Sequence, residues 1–125
     1  MEKKKILLIE DEQTLIKALE MIFKREEWEL KIAIDGEGGL KMAFEEKPDL
    51  ILLDIILPKM NGFEVLKQLK RDKKTKDIPV LILSNLGDEE DIRKGLKLGA
   101  KDYLIKTDYK IEELTKKVKG LLEKK

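Results

Sequence analysis

Four short apolar runs are the feature of this sequence that most constrains its fold. Each run ends at a polar residue: residues 5–9 at Glu10-Asp11, 50–53 at Asp54, 80–83 at Ser84 and 103–105 at Lys106. The runs are separated by amphipathic segments that are long enough to form helices. This pattern is typical of strands that are buried on both faces of a parallel sheet.

The polar residues that follow the runs are predicted to form one site. Parallel strands have their carboxyl ends at the same edge, so Glu10, Asp11, Asp54, Ser84 and Lys106 should meet in a shallow cleft. Taken singly, each is most simply explained as a helix cap or a turn residue. Three carboxylates in one cleft, however, raise each other's pKa unless a cation lies among them. The set therefore predicts a divalent metal ion at this edge.

Composition excludes several classes of function. A chain of 125 residues suffices for one domain with its own core. The absence of Cys and His excludes thiol nucleophiles, imidazole bases and thiolate or imidazole metal ligands. No apolar stretch approaches the roughly 20 residues that span a membrane, and no signal-peptide core follows Met1, so a cytoplasmic location is expected.

Charge gives a further exclusion. Charged residues make up 42% of the chain, but the net charge is only +1. Such a balance provides no broad positive field, so no direct binding of nucleic acid is expected. The basic segment 70–77 is expected to be a solvated loop, with a phosphate-binding surface as the alternative.

The sequence predicts five alternating strand and helix units. The remaining short strand is predicted at 31–34. Helices are predicted at 13–24, 37–46 and 62–70, and a fourth from a cap at Asp88 to Leu98. A fifth helix is predicted from the apolar stripe Ile111, Leu114, Val118 and Leu121. Right-handed crossovers then give a doubly wound α/β fold with a five-stranded parallel sheet. The strand order 2-1-3-4-5 would place the first and third strands at the switch point, where a crevice opens.

Several segments resemble those of response-regulator receiver domains, the phosphoacceptor half of two-component signalling. They are Ile9-Glu10-Asp11-Glu12, the segment from Leu53 to Gly62, Leu83-Ser84-Asn85, and the segment from Gly99 to Lys106. The resemblance covers the whole chain and implies a single receiver domain over residues 1–125. It also implies a CheY-like, flavodoxin-like three-layer sandwich.

The resemblance implies a role for each residue of the predicted cleft. Asp54 would accept a phosphoryl group, and Lys106 would pair with the phosphate. The ligands of Mg²⁺ would be Glu10, Asp11, Asp54 and the backbone carbonyl of Ile56. Ser84 would be the switch hydroxyl and Tyr103 the switch aromatic, although Tyr103 is equally well explained as an ordinary core residue.

The implied function is a phosphorylation-dependent signalling switch. Its donor would be a sensor histidine kinase or a histidine phosphotransfer protein. The contact surface that changes would comprise the fourth helix, the fifth strand and the fifth helix. A phosphorylation-dependent homodimer could form through this surface. No turnover of an external substrate and no membrane association are expected. Because the sequence ends at Glu123-Lys124-Lys125, a stand-alone receiver is expected.

Two other functions remain open. The first is the receiver fragment of a larger DNA-binding transcriptional regulator. The second, from another class, is a Mg²⁺-dependent phosphatase of the aspartyl-phosphate type. Such an enzyme would want a second acid two residues after its nucleophile, where this chain has Ile56.

The chain also departs from the family pattern. Thr107 follows Lys106 where proline is usual, which predicts a trans peptide and a differently aimed lysine. Asn85 replaces a small residue beside the switch hydroxyl, and Glu27 stands where glycine commonly ends the first helix. Ile56 and Leu86, which flank the cleft, are apolar and are expected to place an attacking water poorly. The phosphorylated chain should therefore lose its phosphate slowly, and Ile56→Glu should change that rate.

Overall fold

The computed structural model describes residues 3–123, in which five strands alternate with five helices. The strands are β1 (Lys5–Ile9), β2 (Glu29–Ala33), β3 (Leu50–Leu53), β4 (Val80–Ser84) and β5 (Asp102–Ile105). The helices are α1 (Gln13–Arg25), α2 (Gly36–Glu46), α3 (Gly62–Arg71), α4 (Glu89–Lys97) and α5 (Ile111–Glu123). The two residues at each end of the predicted domain lie outside the described part.

The strands form one parallel sheet in the order β2-β1-β3-β4-β5, which confirms the predicted topology. Ile9 at the end of β1 is in register with Ala33 of β2 on one side and with Leu53 of β3 on the other. The next residues along the chain, Glu10 and Asp54, therefore leave adjacent strands at the same edge.

Two apolar cores lie on opposite faces of the sheet. In β1, Leu7 and Ile9 pack towards α2 and α3, whereas Ile6 and Leu8 pack towards α1 and α5. This alternation follows from the two-residue period of a strand, and all four side chains are at most 1% exposed. The result is the three-layer sandwich predicted from the sequence. None of the helices within residues 3–123 has the length and hydrophobicity that crossing a lipid bilayer requires.

Most predicted ends agree with the structure to within one residue, but two elements differ further. β2 begins at Glu29 and ends at Ala33, and Ile34, which was predicted to be in the strand, is 56% exposed. Because β2 has only one neighbour, its pairing with β1 sets its bounds, and its own apolar run does not. In α5, Leu122 is buried more deeply than the predicted Leu121, since Leu122 lies four residues after Val118 on the same stripe.

Glu27, two residues after the end of α1, has a left-handed conformation with φ at 62°. The amide of Trp28 donates to the carbonyl of Phe23, which closes the helix end. A residue with a side chain is unfavourable in this backbone conformation by about 1 kcal/mol or more, whereas glycine is not.

We therefore expect Glu27→Gly to raise the free energy of unfolding by about 0.5–1 kcal/mol, measured by urea denaturation. Glu27→Ala keeps the strained φ and should give no such gain, and equal stability of the two variants would contradict this explanation.

Candidate functional site

Three carboxylates meet at the carboxyl edge of β1 and β3. The amide of Glu10 donates to the carbonyl of Ala33 at 2.9 Å, and the amide of Asp54 donates to that of Ile9 at 3.0 Å. These bonds extend the strand ladders and fix both backbones. Glu10, Asp11 and Asp54 each offer a carboxylate oxygen, and the three oxygens lie within 4.8 Å of one another. Glu10 and Asp54 are buried, whereas Asp11 is exposed.

The Lys106 ammonium lies between carboxylates from two strand ends. Its Nζ is 2.9 Å from Oδ2 of Asp54, 2.9 Å from Oε1 of Glu10 and 3.1 Å from Oε1 of Glu12. Burial alone lowers the pKa of Lys106, but its hydrogen bonds to Glu10 and Asp54 outweigh burial and raise that pKa above the usual lysine value. Lys106 is therefore a fixed positive charge at neutral pH.

The peptide after Lys106 is trans, because residues 3–123 contain no cis peptide bond. The trans geometry agrees with the prediction, and the Lys106 ammonium lies against Asp54 and Glu10. A difference in its aim from that in the family stays a prediction. The Lys106 amide donates to the carbonyl of Ser84 at 2.9 Å, which holds the end of β5 against β4. The amide of Asp108 then donates to the carbonyl of Ile105, which closes a tight turn at Thr107. Pairing with β4 thus directs Lys106 into the site without proline.

The loop after Asp54 holds its carboxylate from the other side. Oδ1 of Asp54 accepts from the amide of Ile55 at 2.7 Å and lies 3.4 Å from that of Ile56. The two carboxylate oxygens are thus oriented separately, one by backbone amides and one by Lys106. The Ile56 side chain is 58% exposed. The metal role of its carbonyl and the slow loss of phosphate stay predictions.

Ser84 and Tyr103 hold the same loop residue. The Leu86 amide donates to Oγ of Ser84 at 3.3 Å, and the Tyr103 hydroxyl donates to the carbonyl of Leu86 at 2.6 Å. Ser84 is fully buried and Tyr103 is 7% exposed. Burial, with a smaller contribution from the charges of Asp91 and Asp54, raises the pKa of Tyr103 to about 12, so its hydroxyl stays protonated as a donor. The loop after β4 therefore links Ser84 to Tyr103.

The donor atoms at the carboxyl edge fit a hard divalent cation. Oε1 of Glu10 is the only buried side-chain N or O atom within residues 3–123 that has no hydrogen bond, although Lys106 is near it. Burial raises the pKa of Glu10, and the negative charge of Asp54 raises it further. Hydrogen bonds from Lys106 and from the Glu12 amide lower that pKa but do not cancel the effect of burial. Mg²⁺, which prefers oxygen ligands, would coordinate this atom in addition to the nearby ammonium and would favour the charged form of Glu10.

All five residues that the sequence predicts at this edge lie at strand ends, and Glu10, Asp11, Asp54 and Lys106 lie close together there. The predicted set does not include Glu12, whose carboxylate also pairs with Lys106. Nor does it include Gly62, which packs closely against the backbone of Asp54. One signal was available for Glu12: it precedes a helix at a position where Ser, Thr, Asp or Asn is preferred.

Comparison with known proteins gives consistent matches. Residues 6–119 match the family described as response regulator receiver domain. The chain is 41% identical over 121 residues to the alkaline phosphatase synthesis transcriptional regulatory protein PhoP of Bacillus subtilis, covering 97% of this chain and 49% of that protein. It is 38% identical over 120 residues to the DNA-binding dual master transcriptional regulator RpaA of Synechocystis, covering 96% and 49%. The chain thus spans about half the length of these curated relatives.

Solved structures of similar length also match. A Francisella response regulator receiver domain has a TM-score of 0.88 at 30% identity, covering 97% of this chain and 98% of that one. A CheY-like response regulator receiver domain protein from Methanospirillum hungatei has a TM-score of 0.89 at 26% identity, covering 98% and 95%. The similarity in both cases extends over the whole sandwich.

Proposed function

Because this chain belongs to the family of receiver domains of two-component response regulators, we propose that it accepts a phosphoryl group on Asp54 and acts as a phosphorylation-dependent switch. The observation that carries the proposal is the two-sided hold on the Asp54 carboxylate. Backbone amides bind one oxygen, the Lys106 ammonium binds the other, and two further carboxylates lie within 4.8 Å. A carboxylate held in this way is oriented for attack and lies beside a cation site.

Transfer from a phosphohistidine donor forms a bond between phosphorus and an Asp54 oxygen as the phosphorus–nitrogen bond breaks. The donor imidazole leaves with the electron pair. Such transfers depend mainly on positioning and on neutralising charge at the phosphoryl oxygens. Lys106 lies where it can pair with one of those oxygens. Mg²⁺, held by Glu10, Asp11, Asp54 and the Ile56 carbonyl, would neutralise further charge when bound.

The switch would act through the Ser84 and Tyr103 contacts to Leu86. A phosphoryl oxygen on Asp54 attracts the Ser84 hydroxyl. The loop between β4 and α4, which follows Ser84, also holds Tyr103 of β5 through the Leu86 carbonyl. The surface of α4, β5 and α5 would respond. One charge-assisted hydrogen bond contributes about 1.5–3 kcal/mol, whereas a shift from 1:99 to 99:1 needs about 5.5 kcal/mol. Phosphorylation alone would therefore shift the equilibrium only in part, and a partner or a second copy at this surface would complete it.

The wider setting follows from the same proposal. Residues 1–125 form one receiver domain in the cytoplasm, with a sensor histidine kinase or a phosphotransfer protein as donor and no external substrate turned over. A DNA-binding regulator that contains this receiver is the second candidate. It is favoured by relatives of about twice the length whose names describe transcriptional regulators. The phosphatase alternative has less support, because exposed Ile56 occupies the position of the second acid.

Intact mass measurement tests the proposal directly. We expect the wild-type chain to gain one phosphoryl group when it is incubated with a small phosphodonor and Mg²⁺, and to gain much less when Mg²⁺ is chelated. Asp54→Asn should gain none, because the amide is not a nucleophile for this transfer. Asp88→Asn, at the exposed start of α4, is the matched control and should behave as the wild type. An undiminished gain in Asp54→Asn would contradict the assignment.

A further inference from the structure

Lys106 and a bound cation need the same carboxylates. The ammonium lies 2.9 Å from Glu10 and 2.9 Å from Asp54, and these two residues with Asp11 form the candidate metal site. Two positive charges that share these oxygens repel each other. A cation therefore binds most tightly if Lys106 can move away from Glu10 and Asp54 without losing its ion pairing.

Glu12 offers Lys106 such an alternative. Its Oε1 lies 3.1 Å from Nζ of Lys106, and its carboxylate is not part of the metal cluster. The Glu12 side chain is 51% exposed, so it lies on the solvent side of the ammonium, whereas Glu10 and Asp54 lie on the buried side. Lys106 could thus shift towards Glu12 as it leaves the other two carboxylates.

The position of Glu12 in the helix supports a role outside helix stability. It occupies the N-cap of α1, but its side chain accepts no hydrogen bond from the helix. Ser, Thr, Asp and Asn are preferred there because they cap the free amides. The Glu12 amide donates to Oε2 of Glu10 at 3.0 Å. The residue therefore contacts both the acidic cluster, through its backbone, and Lys106, through its side chain.

We propose that Glu12 is a positioning residue that receives the Lys106 ammonium when a divalent cation occupies Glu10, Asp11 and Asp54. It thereby sets the affinity of the site for the cation. This inference rests on the proposed function, because it takes the acidic cluster to be a Mg²⁺ site.

Mg²⁺ binding to the full chain, measured by isothermal titration calorimetry at fixed ionic strength, tests the inference. We expect Glu12→Gln to weaken binding by roughly three- to tenfold, because Lys106 then stays on Glu10 and Asp54. In a Lys106→Met background the same substitution should cost no more than about twofold, which leaves a coupling factor between about 1.5 and 10 in the double-mutant cycle. A coupling factor of one would overturn the inference, because Glu12 would then act on the cation without Lys106.

Two further variants separate reach from charge. Glu12→Asp keeps the negative charge but is one methylene shorter and is suited to capping the helix, so it should bind Mg²⁺ about as weakly as Glu12→Gln. If Glu12→Asp binds Mg²⁺ with wild-type affinity, only the charge at position 12 matters and the inference is overturned. This test needs no substitution of Lys106. Glu20→Gln, about 12 Å further along the same helix, removes the same charge and should bind as the wild type.

The outcome for the wild type distinguishes the two proposals. If the wild type binds Mg²⁺ and Glu12→Gln binds it equally well, only the role of Glu12 fails. If the wild type binds no Mg²⁺, both the metal site of the proposed function and the role of Glu12 fail.

Discussion

Replacing Lys106 with methionine should slow phosphoryl transfer to Asp54 by on the order of 100- to 1000-fold, the loss typical of removing one charge-stabilising donor. Lys106 is the only Lys or Arg that pairs with Asp54 among residues 3–123, so no other side chain replaces its charge. The same substitution should tighten Mg²⁺ binding, because the ammonium no longer competes for Glu10 and Asp54. The initial rate comes from intact mass measured over time with a small phosphodonor, and the affinity from calorimetry.

The two effects of Lys106→Met have opposite signs, which separates them from general damage to the fold. A variant that simply unfolded the site would lose both the rate and the affinity. Lys106→Met should be less stable than the wild type without Mg²⁺, because two buried carboxylates lose their cation, and it should recover as Mg²⁺ is added. Lys110→Met, an exposed position in the same connection to α5, is the matched control and should keep wild-type values. A rate within a few fold of the wild type in Lys106→Met would contradict the role of Lys106.

The strands that carry the site were predictable because their apolar runs are unambiguous. β1, β3 and β4 are buried throughout or nearly so, and a strand of that kind leaves few alternative structures. The meeting of Glu10 and Asp54 follows from the ends of β1 and β3, which are neighbours in the sheet, and Lys106 comes to the same edge from the end of β5. The prediction for the edge strand β2 is less accurate because only one of its five residues is buried, so its sequence is less apolar.

The finer features of the site depend on contacts that a sequence does not display. The pairing of Glu12 with Lys106 joins residues 94 positions apart and depends on the side-chain conformations of both. The turn after Lys106 also depends on such contacts, because the Lys106 amide donates to the carbonyl of Ser84 and the Asp108 amide to that of Ile105. Likewise, Gly62 reads in sequence as an ordinary helix start, and only its neighbours show why a side chain is excluded there.

Gly62→Ala should be among the most damaging single substitutions that add one carbon to this chain. A Cβ at Gly62 would lie 2.3 Å from the carbonyl oxygen of Asp54 and 2.6 Å from the Cα of Ile55. Both are backbone atoms of the segment that carries Asp54, the proposed nucleophile, so neither can rotate away. We expect a loss of about 3 kcal/mol in the free energy of unfolding, at the upper end for overpacking, measured by urea denaturation. The displaced Asp54 should also slow phosphorylation by roughly 100-fold, because a shift of about 1 Å is enough to misplace a reacting group.

Gly120→Ala is the matched control, since it makes the same chemical change in another helix. A Cβ at Gly120 has no neighbour within 4 Å, and the residue lies in the exposed part of α5. Alanine there should raise the free energy of unfolding by up to about 1 kcal/mol through helix propensity, without affecting phosphorylation. The two substitutions should therefore move stability in opposite directions, because one position has backbone against it and the other has only solvent. If Gly62→Ala were as stable as the wild type, the loop after Asp54 would have to be free to move. The Ile55 amide could then not fix the orientation of the Asp54 carboxylate, and this explanation of the site would fail.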